Sequence, residues 1–165
     1  MGDPGDPPPR LRGRSANRKT LGGRASVRRC RRRSLYLADT GLLCALLNIR
    51  TEDALHQSPA AGAIWETFVF AQLRSRERCA RRLGSLFFWR DRTRGVDFVV
   101  DIGGRLDLFE AKWTELPGDG DTVNLNFVRT VVGKSRVGCG EVISRTPNSF
   151  LRSNRFRAVP VSDLG

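Results

Sequence analysis

Histidine occurs once in this chain, at His56, and the four cysteines (Cys30, Cys44, Cys79 and Cys139) contain no C-x-x-C pair. That poverty excludes a zinc site of the usual ligand spacing and a disulfide framework, and points to a reduced, cytoplasmic setting. No apolar run approaches the roughly 18 residues of a membrane-spanning helix, so a membrane-embedded function is excluded. The amino terminus lacks the apolar core of a secretory signal. Acidic residues are also scarce: 17 Asp and Glu face 29 Lys and Arg, a net charge of +12.

That charge is unevenly spread. Residues 1–33 hold eleven Lys/Arg and two Asp, a net +9, which leaves only +3 for the other 132 residues. The leader, rich in Pro, Gly and Arg, has almost no periodic apolar positions. It cannot bury enough surface to offset chain entropy, and it is expected to be disordered. Such an arm can grip phosphates without sequence preference, or it can be a solvated extension. The remainder, in a chain that is 39% hydrophobic and 28% charged, has the length of one soluble globular domain, residues 34–165.

Within that domain Leu35, Tyr36 and Leu37 suggest a short strand. Asp39 or Thr40 can cap a helix running from Leu42 to Ile49, apolar on nearly all sides. Residues 50–60 suggest a loop or a loose helical turn that leaves His56 on the surface. The helical pattern is plainest in "AAGAIWETFVFAQLRSRERCARR", which sets Ala61, Ile64, Trp65, Phe68, Val69 and Gln72 on one stripe. Glu66 falls on the shoulder of that stripe. It either supports the helix start through the dipole or points into a cleft as an extra acid.

Three strands are expected next: residues 85–91, then "VDFVVDI" and "RLDLFEAKW" on either side of Gly103-Gly104. Gly-Gly between alternating runs marks a two-residue hairpin loop, so Ile102 should face Arg105. Continued along the strands, that register sets Asp97 opposite Glu110 and Gly95 opposite Lys112. Asp97, Glu110 and Lys112 then share a face, while Phe98, Val100, Ile102, Phe109, Ala111 and Trp113 line the core face. Two acids opposed in this way repel by about 4 kcal/mol at an effective dielectric near 20. They must share a proton, pair with Lys112, or hold a cation, for which hard oxygen ligands favour Mg²⁺ or Mn²⁺. An ordinary solvent-facing strand carries the same residue types. The "VVGKS" stretch is no P-loop, because Val128 stands where the first glycine is required.

The expected order is helix, three-stranded antiparallel meander, helix, strand, with an acid opening the second strand and E-x-K in the third. This α/β arrangement resembles the restriction-endonuclease-like fold of the PD-(D/E)xK nuclease superfamily. "LYLADTGLLCALL", "IWETFVFAQL", "LFFWRDRTRGVDFVV", "LFEAKW" and "VISRTPNSF…AVPVSDL" together resemble the C-terminal domain of bacterial and archaeal AAA-type ATP-binding proteins, domain-of-unknown-function family 4143. The resemblance covers about residues 34–165. It implies a nuclease-like triad of Asp97, Glu110 and Lys112, with Glu66 as a fourth acid. The family usually reads E-V-D-F where this chain has Gly95-Val96-Asp97-Phe98. Family members carry an ATPase module ahead of this domain, so the chain reads as a detached or truncated carboxy-terminal half.

The resemblance further implies phosphodiester hydrolysis of DNA or RNA. Asp97, Glu110 and the Ala111 carbonyl would hold Mg²⁺ or Mn²⁺, and Lys112 would orient water or offset developing charge. Arg90, Arg92 and Arg94 either contact backbone phosphates or form a solvated basic turn. Two alternatives keep the same residues. In one the domain is a catalytically inactive interaction module for a separate ATPase, its Trp65, Trp89 and Trp113 packing a partner surface. In the other it is a truncated fragment of an ATP-binding protein.

Overall fold

The computed structural model describes residues 36–80, 84–91 and 93–164. The expected disordered leader and the predicted phosphate contact Arg92 lie outside the described residues. Three helices come first: α1 (Thr40–Leu46), α2 (Glu52–Gln57) and α3 (Ala61–Cys79). Asp39 caps α1 by accepting the Leu42 N–H at 2.9 Å. The helix stops three residues before the expected Ile49. Asn48 takes a left-handed φ of 55°, and the N–H groups of Asn48 and Ile49 close back on the Ala45 and Cys44 carbonyls. That is a Schellman ending with asparagine in place of glycine.

Tyr36 and Leu37 are not in a strand, contrary to expectation. No residue of α1 is buried, so its apolar residues do not make it a core helix. Thr51 caps α2, a short helix where a loop or a loose helical turn was expected. The stripe on α3 is buried at Ala61, Ile64, Trp65 and Val69, and it continues through Leu73, not Gln72, which is exposed.

Among the described residues the sheet has six strands: β1 (Ser85–Arg90), β2 (Gly95–Ile102), β3 (Arg105–Ala111), β4 (Val137–Ser144), β5 (Phe150–Leu151) and β6 (Arg157–Pro160), in the order β1-β2-β3-β4-β6-β5. Helix α4 (Val123–Val132) connects β3 to β4, which lies parallel to it. β1, β2 and β3 form the expected antiparallel meander. Gly103 and Gly104 turn at φ 63° and 91°, and Ile102 pairs with Arg105 as the two-residue loop requires. Gly133, at φ 99°, ends α4 ahead of Lys134-Ser135, and Val128 is buried within that helix. The GKS tripeptide therefore follows a helix, in no P-loop context.

Both faces of the sheet are covered. Trp65, Val69 and Leu73 of α3 pack on Phe98, Val100, Phe109 and Ile143, with Ile102, Ala111 and Trp113 against them. Leu125 and Val128 of α4 pack on Val96, Val99, Leu106, Leu108 and Val142. The expected core face is thus one of two. β2 is apolar on both sides for much of its length, as a strand enclosed between helix layers must be. Among the described residues no helix is long and apolar enough to cross a membrane.

Candidate functional site

Strict alternation along β2 would set Val96 and Val99 on opposite faces, yet both belong to the core beneath α4. The ladder explains this. Phe87 pairs with Val99 and Trp89 with Val96, so β1 spends two steps where β2 spends three. The extra residue is a β-bulge at the point where the acid sits, a device that re-aims a side chain. Toward the same end the β2–β3 ladder stops at Phe98–Phe109. Asp97 is therefore not a ladder partner of Glu110, nor Gly95 of Lys112, as the uninterrupted register required. Instead Asp97 Oδ2 accepts the Ala111 N–H at 3.0 Å, and the Lys112 N–H goes to the Ile143 carbonyl at 2.9 Å. A carboxylate thus takes the place of a main-chain acceptor where the strands part.

The bulge still brings the acids together. Glu110 pairs with Val142 across to β4, on the α4 side, and is 5% exposed. Its Oε1 lies 3.0 Å from Lys112 Nζ, while its Oε2 is buried with no hydrogen-bond partner of good geometry among the described residues. Burial pushes the Glu110 carboxyl up, and the Asp97 charge adds to this against the pull of Lys112, to about 7. Burial likewise raises Asp97, helped by Glu66 and opposed by the Ala111 N–H, Lys112 and Arg90. Lys112 is held above its ordinary value. Burial acts to lower it, but the charge and hydrogen bond of Glu110 prevail, aided by Asp97 and Asp121. Proton retention and pairing with Lys112 therefore coexist here.

From the opposite face α3 contributes Glu66, whose Oε1 accepts the Tyr36 hydroxyl at 2.7 Å. A small cleft runs between Glu66 and Asp97, walled by Tyr36, Phe88, Trp89 and Arg90. The structure thus gathers Asp97, Glu110, Lys112, Ala111 and Glu66 at one end of the sheet. Among the described residues no three His, Cys, Asp or Glu side chains are grouped closely enough to hold a metal ion. The donor set nonetheless suits a hard cation. Two carboxylates flank the Ala111 backbone, and the orphaned Glu110 Oε2 lacks the partner that a buried acceptor requires.

A family model described as "Domain of unknown function (DUF4143)" matches residues 61–164. The chain belongs to this family. The DUF4143 domain is 38% identical over 96 residues to the uncharacterized proteins Mb2031c of Mycobacterium bovis and Rv2008c of Mycobacterium tuberculosis. That stretch is 56% of this chain but only 21% of each relative, so the chain spans about a fifth of the mycobacterial proteins' length. Among solved structures, protein VC1899 from Vibrio cholerae aligns over 69% of this chain and 33% of its own, at 19% identity and a TM-score of 0.41.

Of the basic residues predicted to contact phosphates in this DUF4143 domain, Arg90 lines the cleft beside Asp97. Arg90 is exposed and close enough to Asp97 to lower its pKa. Arg94 is exposed too, with its guanidinium 4.0 Å from the centre of the Phe127 ring, and Trp89 contacts the same ring. Asp91 shapes the turn between them by accepting the Thr93 and Arg94 N–H groups. His56, expected on the surface, is exposed and lies beside Trp113 and Arg145.

Sequence reasoning missed two neighbours of the site. Asp121 acts on Lys112 from the turn before α4, and "GDGD" offered only a generic loop signal. Tyr36 was assigned to a strand, and nothing in its local pattern pointed to an acid thirty residues away.

Proposed function

We propose that the β1–β3 meander, α4 and β4 form a restriction-endonuclease-like core whose Asp97, Glu110 and Lys112 carry out metal-assisted hydrolysis of phosphodiester bonds in DNA or RNA. The observation that carries the reading is the bulge. It interrupts a well-formed strand between Val96 and Val99, the stretch that holds Asp97, beside the buried Glu110 and its partner Lys112. Asp97 and Glu110, with the Ala111 carbonyl, would hold Mg²⁺ or Mn²⁺. Such an ion supplies Lewis acidity and positive charge against the scissile phosphate.

The chain's own groups have distinct tasks. Ionised Glu110 and Asp97 bind the cation, so competence rises with pH through about 7 as Glu110 loses its proton. The Lys112 ammonium orients a water or offsets charge on the phosphate oxygens. Glu66 adds a further acid on the α3 side. Arg90 and Arg94 at the rim hold the nucleic-acid backbone, a charge contact without base reading. A separate ATPase module is the proposed partner.

A second reading keeps the fold and removes the turnover. The Lys112–Glu110 ion pair at 3.0 Å already answers one of the acids, which favours a catalytically inactive interaction module. Calorimetric titration of Mg²⁺ and Mn²⁺ into the full chain separates the two, with Asp97→Ala and Glu110→Ala alongside. Metal uptake lost in both variants, with cleavage of plasmid, single-stranded DNA or RNA that Lys112→Ala abolishes, supports the nuclease. A folded wild type that takes up no metal sinks it and leaves the quiet module.

A further inference from the structure

We propose that Tyr36 is a positioning residue that holds Glu66 against Asp97, so that the segment ahead of α1 completes a site the family-matched residues 61–164 leave unfinished. The inference rests on the site described above for its relevance and on three contacts for its substance.

The Tyr36 hydroxyl donates to Glu66 Oε1 at 2.7 Å. Its ring lies flat on Phe70, with centroids 4.4 Å apart and planes 15° from parallel. The same ring meets Phe98, the neighbour of Asp97 in the bulged stretch, at 6.0 Å and 51°. Glu66 and Phe70 are one helical turn apart on α3, so Tyr36 grips two successive positions of one helix face and the bulge of β2 together. The phenol is thereby fixed by packing before it fixes the carboxylate.

Glu66 needs such a restraint. It shares one small cleft with Asp97, and two carboxylates so placed repel. A glutamate on a half-exposed helix shoulder has three side-chain torsions with which to swing away from another acid and into water. A hydroxyl donor held in place opposes that swing. Nothing on α3 itself replaces this donor, because the residues one turn either side of Glu66 on that face are Gly62, Ala63, Val69 and Phe70. The donor that Glu66 does have, Tyr36, comes from ahead of the matched stretch.

Tyr36 is the only tyrosine in the chain, which makes its state directly observable. The experiment uses the full chain labelled with ¹³C at the tyrosine ring carbon bearing oxygen, as wild type and as Glu66→Gln. It adds unlabelled Tyr36→Phe, which keeps the ring stack and removes only the hydroxyl. The single carbon resonance should move in Glu66→Gln without metal. Mn²⁺ affinity should fall roughly fivefold in Tyr36→Phe while the unfolding midpoint stays close to that of wild type, and Tyr36→Phe should add nothing on top of Glu66→Gln.

A resonance unchanged by Glu66→Gln overturns the proposal, as does wild-type Mn²⁺ affinity in Tyr36→Phe when Glu66→Gln weakens it. If the wild type takes up no Mn²⁺, the hydrolase reading fails by itself. Tyr36 is then judged by its resonance alone, a shift in Glu66→Gln sustaining the positioning role.

Discussion

Glu110 sits at 5% exposure with one carboxylate oxygen on Lys112 and the other unpartnered among the described residues, beside a second acid. Its proton is held to about pH 7 in the folded chain, against 4.5 in its ordinary state. Between those values the folded form keeps a proton that the unfolded form has released. Stability is therefore greatest below the lower value and is lost as pH rises through the higher one, by about 3 kcal/mol in all. Urea unfolding across that window should show the decline in wild type and a clearly shallower one in Glu110→Gln, where the raised Asp97 still contributes. Lys112→Met should destabilise by about 2–4 kcal/mol above neutrality, where it strands a buried charge, and much less below it. Equal losses on both sides would mean that Glu110 does not titrate in this range. The residue types of this site were legible in the sequence: D, then E-x-K, at a fixed distance from a Gly-Gly turn. That Glu110 is nearly fully buried was not, because a strand carrying D, E and K reads equally well as a solvated face. Only the burial of both sheet faces decides between them, and helices distant in sequence supply it.

At the scale of elements, the hairpin was the most legible part, since a two-residue loop of glycines fixes the register of both strands. Gly103 and Gly104 have φ of 63° and 91°, and a Cβ at either would meet nothing within 4 Å. Their requirement is thus one of backbone conformation alone. Gly103→Asn should be nearly neutral, because asparagine tolerates the left-handed region. Gly104→Val should destabilise by about 1–2 kcal/mol, since a β-branched residue is a genuine outlier there. Denaturant midpoints give the comparison, and a neutral Gly104→Val would show that the loop relaxes freely. The bulge was not legible at all. It depends on how β1 lies against β2, and no local residue signals it, so the expected Asp97–Glu110 and Gly95–Lys112 ladder pairs were displaced. Short apolar runs misled in the same way. "SLYL" has strand propensity, but its tyrosine is drawn instead to Phe70 and Glu66 of α3. Strand β6 was missed because four residues carry too little periodicity, although it lies parallel to β4 and its Val159 packs into the core.

Across the whole molecule, two cores on opposite faces clamp the sheet, and the acids lie at the end where β2 and β3 part. Folding forces like charges together there, and a cation is what would relieve them. That couples metal binding to global stability, since a ligand that binds only the folded chain stabilises it by RT ln(1 + [L]/Kd), about 2.7 kcal/mol at a hundredfold excess over Kd. The coupling must also depend on pH in the sense opposite to the metal-free chain. Well below neutrality Glu110 is protonated and offers the cation one carboxylate fewer. Above neutrality Glu110 has lost its proton, the metal-free fold is at its weakest, and Mg²⁺ should restore what deprotonation removes. Thermal unfolding with and without Mg²⁺, near pH 8 and near pH 5.5, should therefore show a raised midpoint only at the higher pH, and none in Asp97→Asn. A midpoint raised equally at both values, or equally in Asp97→Asn, would assign the effect to general screening of a chain of net charge +12. No response at the higher pH would mean that Lys112 and a retained proton already balance the acids, which is the charge economy of an interaction module and not of a hydrolase.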